Sequence, residues 1–165
     1  MHKRILILGG TGAGKTALGK RISRILKIPF YSLDFMVFDE NWEKRSMQMR
    51  NDLLKKVAKK NEWVVEGQYA DEWVLPVLKK VELIIILDFK KRVLFKRVFN
   101  RFRQGMREKS AYGTFSSLFA CLKFAGRHDL NRYLKFEEFS KKNKGKFIVL
   151  KTDKSVDEFL NSLKD

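Results

Sequence analysis

Eight consecutive residues, Gly9-Gly10-Thr11-Gly12-Ala13-Gly14-Lys15-Thr16, have the types and spacing needed to hold a chain of phosphates. They fit the pattern G-x-x-x-x-G-K-[ST] in full. Glycines let backbone N–H groups turn inward around a phosphate with no Cβ in the way. A helix starting near Gly14 adds the positive end of its dipole. Lys15 supplies a mobile ammonium for the β and γ phosphates, and the Thr16 hydroxyl is a hard oxygen ligand for magnesium. The pattern implies ATP with Mg2+, bound by all eight residues. The bland alternative is a glycine-rich turn that binds nothing, and the position between a strand and a helix argues against it.

Phosphate loops of this kind are ordinarily joined by a carboxylate at the end of a neighbouring strand, which organises the metal through water. Glu66 and Asp88 both stand at such ends, and either could instead be a plain polar terminus. Phosphoryl transfer also needs charge neutralised on the moving group. On the helix expected over 89–103, Lys90, Arg97 and Arg101 fall on one stripe beside the apolar face. Arg97 and Arg101 are the candidates to meet ATP or the transferred phosphate, because a planar guanidinium binds two oxygens at once. The competing reading is a solvated basic face. Arg107 and Arg127 flank the segment that follows.

Asp34, just after a short strand, could orient or deprotonate an acceptor hydroxyl, or simply cap the next turn. Should the acceptor carry a phosphate, Arg45 or Arg50 is placed to bind it. His2 and His128 show no partner pattern, and no Cys/His cluster suggests zinc. Trp42, Trp63 and Trp73 read as core rather than as base-stacking surfaces.

These residues need elements to position them. Apolar runs at Ile5–Leu8, Phe30–Leu33, Trp63–Val65, Leu83–Leu87 and Phe147–Leu150 read as buried strands. Between them lie helical patterns. One follows the glycine loop, one is capped by Ser46, and one covers 89–103 with Leu94, Phe95, Val98, Phe99 and Phe102 on one face. Short helices are expected around Phe115–Leu122 and over 129–142, and a closing helix runs through Val156, Phe159, Leu160 and Leu163. Pro76 argues against a long helix over 71–80, and residues 104–113 read as loop. The expected fold is α/β, a mostly parallel sheet with helices on both faces and its ligand at the carboxyl ends of the strands.

The chain has 165 residues, enough for one domain spanning 1–165. A single cysteine, Cys121, and a start whose apolar run is too short for a signal core make the cytoplasm the expected location. No stretch reaches the length of a membrane span. The formal net charge is +17, which attracts polyanions and admits a nucleic acid as partner, or else a merely solvated lysine-rich surface.

The loop GGTGAGKT, the SLD at Ser32–Asp34, Trp42, the WVVEGQY at Trp63–Tyr69 and the IIILDFKKRVLFKRVFNRFR at Ile84–Arg103 resemble the bacterial topology modulation proteins of the FlaR type. These are small adenylate-kinase-like P-loop proteins. The resemblance spans residues 3–103 and weakens across 104–135. It implies a three-layer α/β/α sandwich of the nucleoside-monophosphate-kinase kind, with a five-stranded parallel sheet in the order 2-3-1-4-5. It also implies a helical lid over about 104–127 and Glu66 beside the phosphate loop. The relatives carry Asp-Gly there, so Glu66 is one methylene longer. On this resemblance Glu66 is the expected metal residue beside Thr16; the readings above make Lys15, Asp34, Arg97 and Arg101 the expected catalytic set.

Three functions fit. The first is a kinase transferring the ATP γ-phosphate to a small-molecule or nucleotide acceptor. The second is a nucleic-acid-associated ATP-binding protein affecting DNA topology. It is motivated by the charge, although no helix-turn-helix, zinc-finger or RNP pattern is present. The third is an ATPase switch. Neither the acceptor nor the oligomeric state is legible in the residues.

Overall fold

The computed structural model describes residues 2–69, 71–127, 129–142 and 145–164. Five strands, β1 (Arg4–Gly9), β2 (Phe30–Ser32), β3 (Trp63–Gly67), β4 (Leu83–Leu87) and β5 (Lys146–Leu150), form one sheet in the order β2-β3-β1-β4-β5. Every pairing is parallel. The three central strands are apolar runs because both of their faces are covered. Leu6, Leu8, Val65, Ile84 and Ile86 point to one layer, where α3 (Met47–Ala58), α4 (Leu75–Leu78) and α7 (Asn131–Lys142) supply Leu54, Leu78, Tyr133 and Phe136. Ile5, Ile7, Val64, Ile85 and Leu87 point to the other. There α1 (Lys15–Leu26), α5 (Lys91–Arg107), α6 (Phe115–Gly126) and α8 (Asp153–Asn161) bring Ile22, Val98, Ala125 and Leu160. The period-two alternation of each strand thus feeds two separate cores.

Parallel strands align their carboxyl ends, so the glycine loop, Ser32, Glu66 and Asp88 open on one edge of the sheet. Three boundaries differ from expectation. β2 stops at Ser32, because the Ser32 hydroxyl accepts from the Asp34 N–H and starts the short helix α2 (Leu33–Val37). Asp34 therefore lies in the first turn of α2, and the cap is Ser32 rather than Asp34. α5 runs to Arg107 rather than ending at 103. Its last turns are held from outside: Phe102 is buried with Phe115 against it, and Gly105 meets Gly113 backbone to backbone. The third concerns α8, which ends at Asn161, short of Leu163; its start is fixed by a capping box in which Thr152 and Ser155 exchange hydrogen bonds.

Of the tryptophans, Trp63 is core and Trp73 packs at its border. Trp42 is exposed, which corrects the core reading for that residue. His128 lies outside the described residues. Among the described residues no helix is long and apolar enough to cross a membrane.

Candidate active site

The glycine loop leaves β1 at Gly9 and enters α1 at Lys15. Gly14 caps α1 at φ 91°, a left-handed conformation that glycine adopts without strain. A Cβ on Gly12 would sit 2.9 Å from the Leu94 carbonyl oxygen, so the loop presses directly on α5. With no side chain capping α1, its first-turn N–H groups face outward, where an anion binds.

Lys15 curls back along the loop, and its Nζ donates to the Gly10 carbonyl at 3.0 Å. The Thr16 hydroxyl donates to Glu66 Oε1 at 3.3 Å. Glu66 stands inside β3, opposite Ile7 of β1 and Ser32 of β2, and is 1% exposed. Its Oε2 is buried with no hydrogen-bond partner. Burial pushes its carboxyl above the usual range, while the Lys15 charge and the Ser32 and Thr16 hydroxyls pull the other way. Burial likewise lowers the Lys15 ammonium; Glu66 and Asp34 oppose that shift and Arg101 adds to it. An orphaned carboxylate oxygen is costly unless a cation takes it. Thr16 Oγ1 and the Glu66 carboxylate are hard oxygen donors, which suits a small divalent ion completed by water and phosphate.

The other expected residues divide. Burial, and then the charge of the Asp34 carboxylate, raise the Tyr69 phenol's pKa. Asp34 also borders a cleft of about 250 Å³ with Phe35, Phe38, Trp42 and Arg45. Arg101 stacks on Tyr112 at 4.4 Å, donates to Cys121 Sγ at 3.0 Å, and is close enough to act on the Lys15 charge. Arg97 sits differently. Its Nη1 donates to the Ala13 carbonyl at 3.1 Å, its Nη2 pairs with Asp153, and its guanidinium lies 4.2 Å over the Phe89 ring. It braces the loop from the α5 side. Of the two candidate acids, Glu66 is the one hydrogen-bonded to Thr16. The backbone of Asp88 is tied to β5 through its N–H to Leu150. Arg50 donates twice to the Arg45 carbonyl, at 2.8 and 2.6 Å, and so shapes the loop before α3.

Several neighbours of the loop were given no role by the sequence, although Gln68 and Tyr69 lie in the WVVEGQY segment. Thr11 Oγ1 donates to Gln68 Oε1 at 3.2 Å, and Tyr133 donates to the Gln68 carbonyl at 3.3 Å. Gln68 and Tyr133 line a second cleft of about 270 Å³ with Gly10, Tyr69, Asp71, Arg127 and Arg132. Gln68 and Tyr69 follow Glu66-Gly67 directly, so their place after β3 could have marked them. Arg132 and Tyr133 arrive only because α7 folds back over the sheet.

A parallel 2-3-1-4-5 sheet, a glycine loop between β1 and α1, and a buried acid on the adjacent strand define a P-loop NTPase with a kinase-like fold. Residues 5–88 match the model of the ATPase family associated with various cellular activities (AAA), and the chain belongs to that family. Membership implies ATP with a divalent metal. The chain is 30% identical over 109 residues to a shikimate kinase of Bacteroides fragilis, a match covering 58% of this chain and 61% of the relative. The chain thus spans less than two thirds of that relative's length. The fold is similar to that of shikimate kinase from Bacteroides thetaiotaomicron, with TM-score 0.57, 18% identity, and 99% and 97% of the two chains covered. It is also similar to a gluconokinase from Sinorhizobium meliloti 1021, with TM-score 0.57, 16% identity, and 98% and 89% covered.

Proposed function

We propose that this protein is a phosphotransferase that moves the γ-phosphate of Mg2+-ATP to a hydroxyl of a small-molecule or nucleotide acceptor. One observation carries the reading. Lys15 and the orphaned Glu66 carboxylate, each disfavoured in its charged form by burial, stand on either side of Thr16 at the mouth of the glycine loop. Such a site awaits a polyanion and a cation together. Gly9 to Thr16 hold the phosphates. Thr16 and Glu66 hold the magnesium, which when bound neutralises phosphate charge and orients the reacting group. Lys15 and Arg101 offset charge on the transferred phosphoryl group, and Arg97 keeps the loop in register through Ala13. Asp34, beside a cleft, orients the acceptor hydroxyl and accepts its proton. Arg127 and Arg132 border the other cleft and suit an acidic group on the acceptor.

The shikimate kinase and gluconokinase relatives support a hydroxyl acceptor of this kind. The finer family reading, a topology modulation protein working in the cytoplasm, rests on the SLD and EGQY segments together with the loop. Incubation with labelled Mg2+-ATP and a library of hydroxylated metabolites and nucleotides tests the proposal. Transfer to an acceptor supports it. Phosphate release alone, or tight duplex-DNA binding with no transfer, refutes it.

Two further results are expected. Glu66→Gln stabilises the ligand-free protein by about 1–3 kcal/mol at neutral pH, because it removes a buried, half-satisfied charge. The raised carboxyl sets the sign. Folded protein holds the Glu66 proton to higher pH than unfolded chain does, so stability falls as pH rises from about 4.3 through the raised value. The advantage of the variant should grow over that window in urea unfolding, while added Mg2+ and ATP should stabilise the wild type more than the variant. No difference between the two at any pH would contradict this. Residues 104–127, which follow the site-facing Arg101, are expected to act as a lid. Their amide hydrogen exchange should slow on ATP binding, because the site must exclude water. Equal exchange with and without nucleotide would count against a lid.

A further inference from the structure

The segment from Phe89 to Arg127 carries eleven lysines and arginines and one acid, Glu108. α5 sorts these charges by side. At 100° per residue, Arg97 and Arg101 point toward the loop, whereas Arg92, Lys96, Arg103 and Arg107 fill a sector of roughly 60° on the far flank. Between that sector and the buried stripe lie Phe95, Phe99 and Met106, all exposed. α6 runs antiparallel beside them. The Phe95 ring lies against Gly126 at one end of the pair, and Phe102 meets Phe115 with ring centroids 5.2 Å apart at the other. Phe115 is 66% exposed and Phe119, one turn on, 71%. Lys123 follows on the outer side of α6.

The outcome is one face with an apolar seam of four phenylalanines and a methionine, flanked by five exposed cations. None of those five cations has an ion pair among the described residues. The apolar area left open is on the order of several hundred Å², large for a surface without a partner. None of its side chains is assigned to phosphoryl transfer, although Met106, Phe115, Phe119 and Lys123 fall within the proposed lid.

We propose that this outer face of the α5–α6 pair docks on an anionic lipid surface, its phenylalanines entering the acyl boundary and its cations meeting acidic headgroups. Charge decides the class of partner. A second copy laid face to face would set five cations against five, with no acid to relieve them. A single-stranded nucleic acid would match the charge, but Phe99 and Phe115 each tilt against the buried Phe102 ring, at 42° and 53°, instead of standing free as flat platforms. The hydrogen-bonding Asn100 and Gln104 also lie away from the seam. An apolar ridge with basic flanks is what an interfacial helix presents to acidic lipid.

Sedimentation with phosphatidylcholine vesicles, with and without phosphatidylglycerol, tests this at physiological salt. Wild type should bind the anionic vesicles and leave the neutral ones. Phe119→Ser should weaken binding by about 10-fold or more. Arg103→Glu with Arg107→Glu, a pair of exposed positions that leaves the ring packing intact, should do the same. Lys55→Glu with Lys56→Glu makes the same charge change on α3, in the opposite layer, and should matter less than about 3-fold. Thermal unfolding checks that each variant is folded. Three results would overturn the proposal: no vesicle binding alongside tight binding of oligo-dT, equal losses from the α3 and α5 pairs, or a dimer in solution that Phe119→Ser dissociates.

Discussion

Replacing Arg97 and Arg101 together by glutamine is expected to lower phosphoryl transfer by roughly 10³-fold, the scale of losing an arginine that offsets charge on a transferred phosphate. Glutamine keeps some hydrogen-bonding capacity and removes both charges. The apolar stripe of α5, Leu94, Val98 and Phe102, is untouched, so the fold should survive. The geometry splits the two contributions. Arg101, the residue proposed to meet the γ-phosphate, is held by Tyr112 and Cys121 within electrostatic reach of Lys15, so Arg101→Gln alone should lower kcat with ATP affinity little changed. Arg97 is committed to Ala13, Asp153 and the Phe89 ring, so Arg97→Gln should loosen the loop and raise KM for ATP. Steady-state kinetics on the three variants checks this. Duplex-DNA affinity should fall only modestly in the double variant. The reverse pattern, weaker DNA binding with a shallower salt slope and unchanged transfer, would point to a nucleic-acid-binding role for these arginines.

Lys15→Ala should weaken ATP binding or turnover by at least about 10²-fold. The ammonium is the one mobile positive charge inside the loop, and backbone N–H groups alone cannot neutralise a triphosphate. In the ligand-free protein its Nζ rests on the Gly10 carbonyl, a weak partner that a phosphate oxygen would replace. Burial makes the free ammonium less favourable than in water, so removing it should not destabilise the empty fold. The expected signature is therefore unchanged thermal unfolding without nucleotide, with the ATP-induced stabilisation lost. Calorimetry showing wild-type ATP affinity, together with wild-type turnover, would rule this out.

The residues themselves determined a great deal about this protein. The spacing of Gly9, Gly14, Lys15 and Thr16 is local chemistry, and a loop of eight neighbours keeps its meaning wherever the chain goes next. Strand runs such as Leu83–Leu87 were legible for the same reason, since a strand buried on both faces must be apolar throughout. Strand order came from the resemblance and not from periodicity, because nothing in a run of Val and Ile says which strand lies beside it. Three matters were decided only by the tertiary structure. The pairing of Thr16 with Glu66, across fifty positions of sequence, exists because β1 and β3 are neighbours in parallel register. The contacts of Arg97 and Arg101 separated because Ala13, Asp153 and Phe89 surround one guanidinium and Tyr112 and Cys121 the other. The end of α5 moved to Arg107 because packing against Phe115 and Gly113 outweighs the weak helix propensity of Gly105. The partners of Thr16 and Arg97 lie 50 and 84 positions away, and those at the end of α5 lie on later elements, where local propensity carries no information.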